Sequence, residues 1–87
     1  MNSYKFTRKK ILLLGSGELG KELVIEAKRL GLEVIAIDKY ENAPAMQLAD
    51  HFFVLDMNNK KILSKTIKDL NPDFLVPEIE ALSIESL

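Results

Sequence analysis

The stretch that decides the fold is Ile11–Gly20, ILLLGSGELG, in which an apolar run leads directly into a glycine-rich turn. A short continuous apolar run ended by glycine is typical of a β-strand buried on both faces of a parallel sheet. The turn has the spacing G-x-G-x-x-G, and apolar residues at helical spacing follow it at once. A strand, a glycine loop and a helix in this order predict the first unit of a Rossmann-like domain.

Strand and helix patterns alternate along the rest of the chain. The apolar runs predict strands over 11–14, 33–37, 52–55 and 74–76. Helical spacing predicts helices over 19–30 and 62–70, one helical turn over 45–49, and the start of another helix from Glu80 to Leu87. Parallel strands joined by right-handed crossovers favour the strand order 3-2-1-4. The predicted fold class is therefore α/β, with a Rossmann-like parallel sheet.

The helix patterns also predict which residues face inward and where each helix begins or ends. In the first helix the expected inward residues are Leu19, Leu23, Val24, Ala27 and Leu30. Gly31 is expected to be the left-handed residue that ends this helix. The second helix is expected to be capped by Asp56 or Asn58 and to stop at Asn71-Pro72.

A chain of 87 residues has room for one small domain or part of one. The fourth strand would form a bare edge of the sheet, whereas parallel sheets are normally covered. We therefore expect residues 1–87 to be the front of a longer domain, truncated at its C-terminal end. A minimal domain that stands alone is the alternative.

Composition and charge exclude several classes of function. Twelve Lys and Arg against 13 Asp and Glu give a net charge of −1, which provides no basic patch for nucleic acid or an anionic membrane. The chain has no cysteine and only one histidine, His51, so no metal site and no catalytic residue is expected. No apolar run is long enough to span a bilayer, and the N-terminus lacks the pattern of a signal peptide. A cytoplasmic location is expected.

The glycine loop is the first candidate site. The backbone amides of Gly15, Ser16, Gly17 and Gly20, together with a helix N-terminus, favour an anion. The alternative is a tight turn whose glycines serve only packing. Asp38, at the end of the second strand, stands where dinucleotide-binding domains place the carboxylate that binds a ribose diol. This position predicts NAD binding, or equally an acid that caps the loop backbone.

Two acids argue against a pyrophosphate in this loop. Glu18 lies within the loop, and Glu78 follows the fourth strand, which neighbours the first strand in the order 3-2-1-4. The glycine loop and Glu78 should therefore line one crevice where the strand order reverses. Carboxylates in such a crevice suit hydroxyls or an amine, while Glu80 is expected to be only a helix-start acid.

Four blocks, in this order along the chain, resemble the N-terminal domain of formate-dependent phosphoribosylglycinamide formyltransferases, the ATP-grasp transformylases of purine synthesis. The blocks are 11–22 (ILLLGSGELGKE), 29–38 (RLGLEVIAID), 43–46 (APAM) and 76–81 (VPEIEA). The resemblance implies a pre-ATP-grasp domain that binds glycinamide ribonucleotide rather than NAD. It also implies that Glu18, Leu19 and Glu78 contact this substrate and that Asp38 only orders the loop.

The resemblance further implies where the remaining chemistry lies. ATP and Mg²⁺ would bind in family domains outside this stretch, where ATP and formate form formyl phosphate for attack by the glycinamide amine. We expect no cofactor within the 87 residues, no transformylase activity from them alone, and a homodimer for the full-length protein. A small NAD-binding regulatory module and a non-catalytic fragment are the alternatives.

Overall fold

A computed structural model of the chain describes residues 8–78. These residues form β1 (Lys10–Leu14), α1 (Glu18–Arg29), β2 (Glu33–Asp38), a short 3₁₀ helix (Pro44–Gln47), β3 (His51–Val54), α2 (Lys60–Leu70) and β4 (Phe74–Pro77). The helix predicted over 80–87 lies outside the described residues.

The four strands form one parallel sheet in the order β3-β2-β1-β4, which confirms the predicted fold class and strand order. In this register Leu14 pairs with Ile37 of β2 on one side and with Pro77 of β4 on the other. The carboxyl ends of β1, β2 and β4 therefore lie level with one another. Residues that follow these three strands meet at one edge of the sheet, where the order of strands reverses.

The central strands are buried on both faces, as their continuous apolar runs predict. On one face α1 covers a core made of Ile11, Leu13, Val24, Ala27, Val34 and Ala45. On the other face α2 contributes partly buried residues to a core centred on Leu12, Leu14, Ile35 and Ile37. Successive residues of β1 alternate between the two cores because side chains alternate across a strand.

The inward face of α1 differs from the prediction at both ends. Its buried residues are Gly20, Val24 and Ala27, which lie four and three positions apart and so share one side of the helix. Leu19 and Leu30, which we expected to face inward, are 57% and 77% exposed. Gly20, Val24 and Ala27 face the sheet because small side chains let the axis of α1 approach the strands closely.

The helix ends agree with the prediction only in part. The chain leaves α1 through Gly31, with φ of +81°, and leaves α2 through left-handed Asn71, both as predicted. The cap of α2 is Asn59, whose side chain accepts a hydrogen bond from the amide of Ile62 at 3.2 Å. The predicted caps were therefore wrong, and Asp56 instead accepts from the amide of Asn58 at 2.9 Å in the preceding turn.

Candidate functional site

The glycine loop lies at the carboxyl end of β1 and is held from the β2 side through its backbone. The amide of Gly15 donates to the carbonyl of Ile37 at 2.8 Å, and Gly15 has a φ of +96° that turns the chain away from the strand. The fully buried Ser16 hydroxyl donates to the same carbonyl at 3.1 Å. The loop is thereby fixed against β2 before α1 begins.

Asp38 stabilises this loop with both of its carboxylate oxygens. Oδ2 accepts from the amide of Ser16 at 2.9 Å, and Oδ1 accepts from the amide of Lys39 at 2.7 Å. The residue is only 9% exposed. These two hydrogen bonds give Asp38 a loop-ordering contact, while each oxygen retains capacity for a further donor. A role of Asp38 in NAD binding stays a prediction.

Glu78 reaches the loop from the opposite side. Its amide donates to the carbonyl of Leu14 at 2.7 Å, which extends the β1–β4 pairing by one residue and points the side chain toward the loop. Its carboxylate then accepts two short hydrogen bonds, from the amide of Gly17 at 3.0 Å and from that of Gly20 at 2.7 Å, both to Oε2. A longer contact of 3.2 Å joins the Gly17 amide to Oε1. Glu78 is 6% exposed.

The sequence predicted that Glu78 and the loop share a crevice, and the structure brings them together. The sequence did not predict that the carboxylate of Glu78 itself would accept hydrogen bonds from the loop amides, which we had assigned to an anionic ligand. A signal for this was present in the strand order, which places an acceptor on the neighbouring strand directly beside unsatisfied amides. Buried amides rarely remain without an acceptor.

Gly17 and Gly20 are the positions at which the carboxylate approaches the backbone most closely. A Cβ atom at residue 17 would lie 2.8 Å from Oε1 of Glu78. A Cβ atom at residue 20 would overlap Oε2 of Glu78 and lie 3.0 Å from Cδ2 of Leu13. Both glycines therefore make room for Glu78, and Gly20 also permits the close packing of α1 on β1.

Glu18 and Leu19 form the start of α1, and both are exposed. Leu19, Gly20 and Glu78 line an open groove of about 400 Å³ between α1 and β4. The remaining lining residues are mostly apolar, with two acids on the helix: Leu13, Glu22, Leu23, Glu26, Val76 and Pro77. Of the three residues assigned to the substrate, the structure thus places Leu19 and Glu78 on one groove and Glu18 immediately beside it.

The first turn of α1 has amides still available to a ligand. Within the described residues, the Gly20 amide binds Glu78 and the Lys21 amide binds the carbonyl of Gly17. Within residues 8–78 the amides of Glu18 and Leu19 donate no hydrogen bond. These two N–H groups, at the positive end of the helix, can bind an oxygen atom of a ligand.

Within the described residues, a cluster of charged side chains lies at the other end of the sheet. Asp50 accepts hydrogen bonds from Nζ of Lys28 and from the Val34 amide, both at 2.8 Å. Burial disfavours the charged carboxylate, but these hydrogen bonds and the charge of Lys28 outweigh burial and lower the pKa of Asp50. This cluster joins α1, β2 and the start of β3, and it is remote from the glycine loop.

The described part of the chain has no candidate metal centre. Between residues 8 and 78 no three His, Cys, Asp or Glu side chains cluster in a way that could hold a metal ion. Neither α1 nor α2 has the length and apolar character needed to cross a bilayer. His51 is a surface residue, and its Nε2 atom lies 3.2 Å from Oε2 of Glu33.

Comparison with known proteins agrees with this fold and with the resemblance noted in the sequence. The family model for the ribonucleotide synthetase preATP-grasp domain matches residues 8–87. The formate-dependent phosphoribosylglycinamide formyltransferase of Prochlorococcus marinus subsp. pastoris (strain CCMP1986 / NIES-2087 / MED4) is 82% identical over all of this chain and 22% of the relative. The protein of the same name from Methanococcus maripaludis (strain C5 / ATCC BAA-1333) is 60% identical over 91% of this chain and 20% of its own length.

Solved structures extend the comparison to the fold. Glycinamide-RNase-transformylase T from Mycobacterium tuberculosis matches with a TM-score of 0.81 and 43% identity, over 91% of this chain and 23% of that one. N5-carboxyaminoimidazole ribonucleotide synthetase from Thermotoga maritima matches with a TM-score of 0.75 and 32% identity, over 91% and 21%. This chain thus spans about a fifth of the length of these relatives. It belongs to the ribonucleotide synthetase preATP-grasp domain family and corresponds to the N-terminal part of the formate-dependent phosphoribosylglycinamide formyltransferases.

Proposed function

We propose that residues 1–87 form the substrate-binding front of a transformylase that converts glycinamide ribonucleotide, formate and ATP to formylglycinamide ribonucleotide, ADP and phosphate. The observation that carries this proposal is the crevice in which the first turn of α1 and the carboxylate of Glu78 meet. Support comes from the 82% identity to a relative whose name specifies formate and phosphoribosylglycinamide.

The crevice presents two complementary kinds of group to a ligand. The amides of Glu18 and Leu19 donate, so they suit a carbonyl, hydroxyl or phosphate oxygen. Glu78 accepts, and within residues 8–78 its Oε1 atom has only the 3.2 Å contact from Gly17, whereas Oε2 accepts two shorter hydrogen bonds. Oε1 therefore retains capacity for one donor. A ribonucleotide that carries hydroxyls and an amine provides such donors.

The exposed edge strands support the further proposal that this domain packs against other parts of a longer protein. Phe74 and Leu75 of β4 are 48% and 47% exposed, and Phe52 of β3 is 50% exposed. Parallel sheets normally have such residues covered. We infer that ATP, Mg²⁺ and formate bind in those other parts, and that the full-length protein is a cytoplasmic homodimer. The 87 residues alone should then show no ADP release with formate, ATP and glycinamide ribonucleotide.

The proposal is tested by substituting Glu78 in the full-length protein. Glu78→Gln is expected to raise the KM for glycinamide ribonucleotide by roughly 10- to 100-fold, because a hydrogen bond to a charged group contributes about 1.5–3 kcal/mol. The KM for formate should change much less, since we place formate elsewhere. Asp69→Asn, which removes a charge from an exposed pair with Lys65 on α2, is the matched control and should leave both values unchanged.

An unchanged KM for the ribonucleotide in Glu78→Gln would show that the assignment of this residue is wrong. The alternative function, a regulatory module that binds NAD, is tested by titrating the wild-type protein with NAD. Saturable NAD binding that Asp38→Ala abolishes and Glu78→Gln preserves would favour that alternative.

A further inference from the structure

The glycine loop already holds an anion, and that anion belongs to the protein. In Rossmann-like domains the amides of the glycine loop and of the following first helical turn bind the pyrophosphate of a dinucleotide. Here the amides of Gly17 and Gly20 donate to the carboxylate of Glu78 at 3.0 and 2.7 Å. The carboxylate thus occupies the position that a phosphate group would need.

The space between loop and carboxylate is too small for a second anion. A single Cβ atom added at residue 17 would come within 2.8 Å of Oε1, and one added at residue 20 would overlap Oε2. Glu78 is 6% exposed, and its amide is tied to the carbonyl of Leu14 at 2.7 Å, so the backbone of β4 holds the side chain in place. A phosphate that approached would meet both filled amides and a like charge.

We propose that Glu78 is a specificity-determining residue that excludes phosphate and diphosphate groups from Gly17 and Gly20. The loop retains the G-x-G-x-x-G spacing of a dinucleotide site, yet its anion is Glu78, the residue that follows β4 in the same chain. This exclusion concerns the same crevice as the proposed function. It rests on the proposed function only where a ribonucleotide is assigned to the amides of Glu18 and Leu19 and to Oε1 of Glu78. The phosphate of that ligand must then bind away from these two amides.

The proposal predicts that removing the carboxylate creates an anion site. The probe is inorganic pyrophosphate, added to the full-length protein with a non-hydrolysable ATP analogue present to fill any ATP site. The protein is labelled with ¹⁵N-glycine, and the amide signals of Gly17 and Gly20 report binding at the loop. In wild type and in Asp69→Asn these signals should not shift. In Glu78→Ala they should shift saturably, with affinity at least tenfold tighter than any wild-type binding and weakened by salt.

Two results would overturn the proposal. One is a saturable shift of the Gly17 and Gly20 signals when pyrophosphate is added to the wild-type protein. The other is the absence of any gain in Glu78→Ala and in the less disruptive Glu78→Gln, when both retain the wild-type circular dichroism spectrum. A separate titration of the wild-type protein with glycinamide ribonucleotide tests the proposed function. If the wild-type protein did not bind this ribonucleotide, the proposed function would fail, but the result with pyrophosphate would be unaffected.

Discussion

Replacing Gly20 by alanine tests whether the contact between α1 and Glu78 determines the stability of this region. Gly20 is the third residue of α1, and in an ordinary helix its replacement by alanine would stabilise the protein by about 1 kcal/mol. In this structure the new methyl group would overlap Oε2 of Glu78 and press on Leu13 at 3.0 Å. The carboxylate would have to move away, because the backbone of β1 and α1 cannot separate without losing the core beneath them.

The magnitude follows from the hydrogen bonds that are lost. Displacing Oε2 breaks its bonds from the amides of Gly20 and Gly17, at 2.7 and 3.0 Å. Each hydrogen bond to a charged group contributes about 1.5–3 kcal/mol, so the loss amounts to about 3–6 kcal/mol before the gain in helix propensity is subtracted. We therefore expect Gly20→Ala to destabilise the region by about 2–5 kcal/mol. In a Glu78→Ala background the same substitution should change stability by less than about 1 kcal/mol, because no carboxylate remains to be displaced.

Hydrogen exchange measured by mass spectrometry on the full-length protein gives the free energy of local opening for peptides from α1 and β1. Wild type, the two single variants and the double variant form a double-mutant cycle, and the expected coupling energy between the two sites is at least about 2 kcal/mol. Ser64→Ala, at an exposed position of α2, controls for the general effect of alanine in a helix. A coupling energy near zero would refute the argument, since it would mean that Gly20 and Glu78 act independently.

Two further predictions concern parts of the fold outside the crevice. Asp50→Asn should destabilise the protein at neutral pH. Because folding lowers the pKa of Asp50 from its ordinary value of 3.8, the difference in stability should be complete above pH 3.8 and be lost as the pH falls through the lowered pKa of the folded protein. Thermal melting of both proteins between pH 2.5 and 7 measures this, and a difference that does not shrink below pH 3.8 would contradict the role given to the Lys28–Asp50 pair. Asn59→Ala should cost about 1 kcal/mol through loss of the α2 cap, seen as faster hydrogen exchange in the first turn of α2, whereas Asn58→Ala should have little effect.

The sheet was predictable because the apolar runs of its central strands are compatible with few other structures. The run Ile11–Leu14 is apolar at every position, and only a strand covered on both faces buries all of it. Handedness of the crossovers then limits the order of strands. The inward side of α1 was predictable only in part. Val24 and Ala27 are buried as predicted, but Gly20 has no side chain that could mark a hydrophobic face.

The sequence predicted which residues of the site lie near one another, but it did not predict the hydrogen bonds between them. Strand order places Glu78 beside the glycine loop, but whether its carboxylate faces solvent or the loop depends on how the amides of the first turn point. Those directions are set by the turn at Gly15 and by the pairing of Glu78 with Leu14, whose detailed geometry the sequence pattern does not specify. The cap of α2 shows the same difficulty, since Asp56, Asn58 and Asn59 all have suitable side chains and only one lies at the correct position.

The acids on either side of the glycine loop also affect how a G-x-G-x-x-G motif is interpreted from sequence. Asp38 is the last residue of β2 and Glu78 follows β4, and each carboxylate is bound by loop amides on its own side of β1. These two acids thus satisfy the amides of Ser16, Gly17 and Gly20, which would otherwise attract a diphosphate. A G-x-G-x-x-G loop indicates a dinucleotide site only if those donors are free. When an acid directly follows the strand on the far side of the loop, the sequence favours a loop whose anion is internal, and a ligand must then be recognised by the groups that remain.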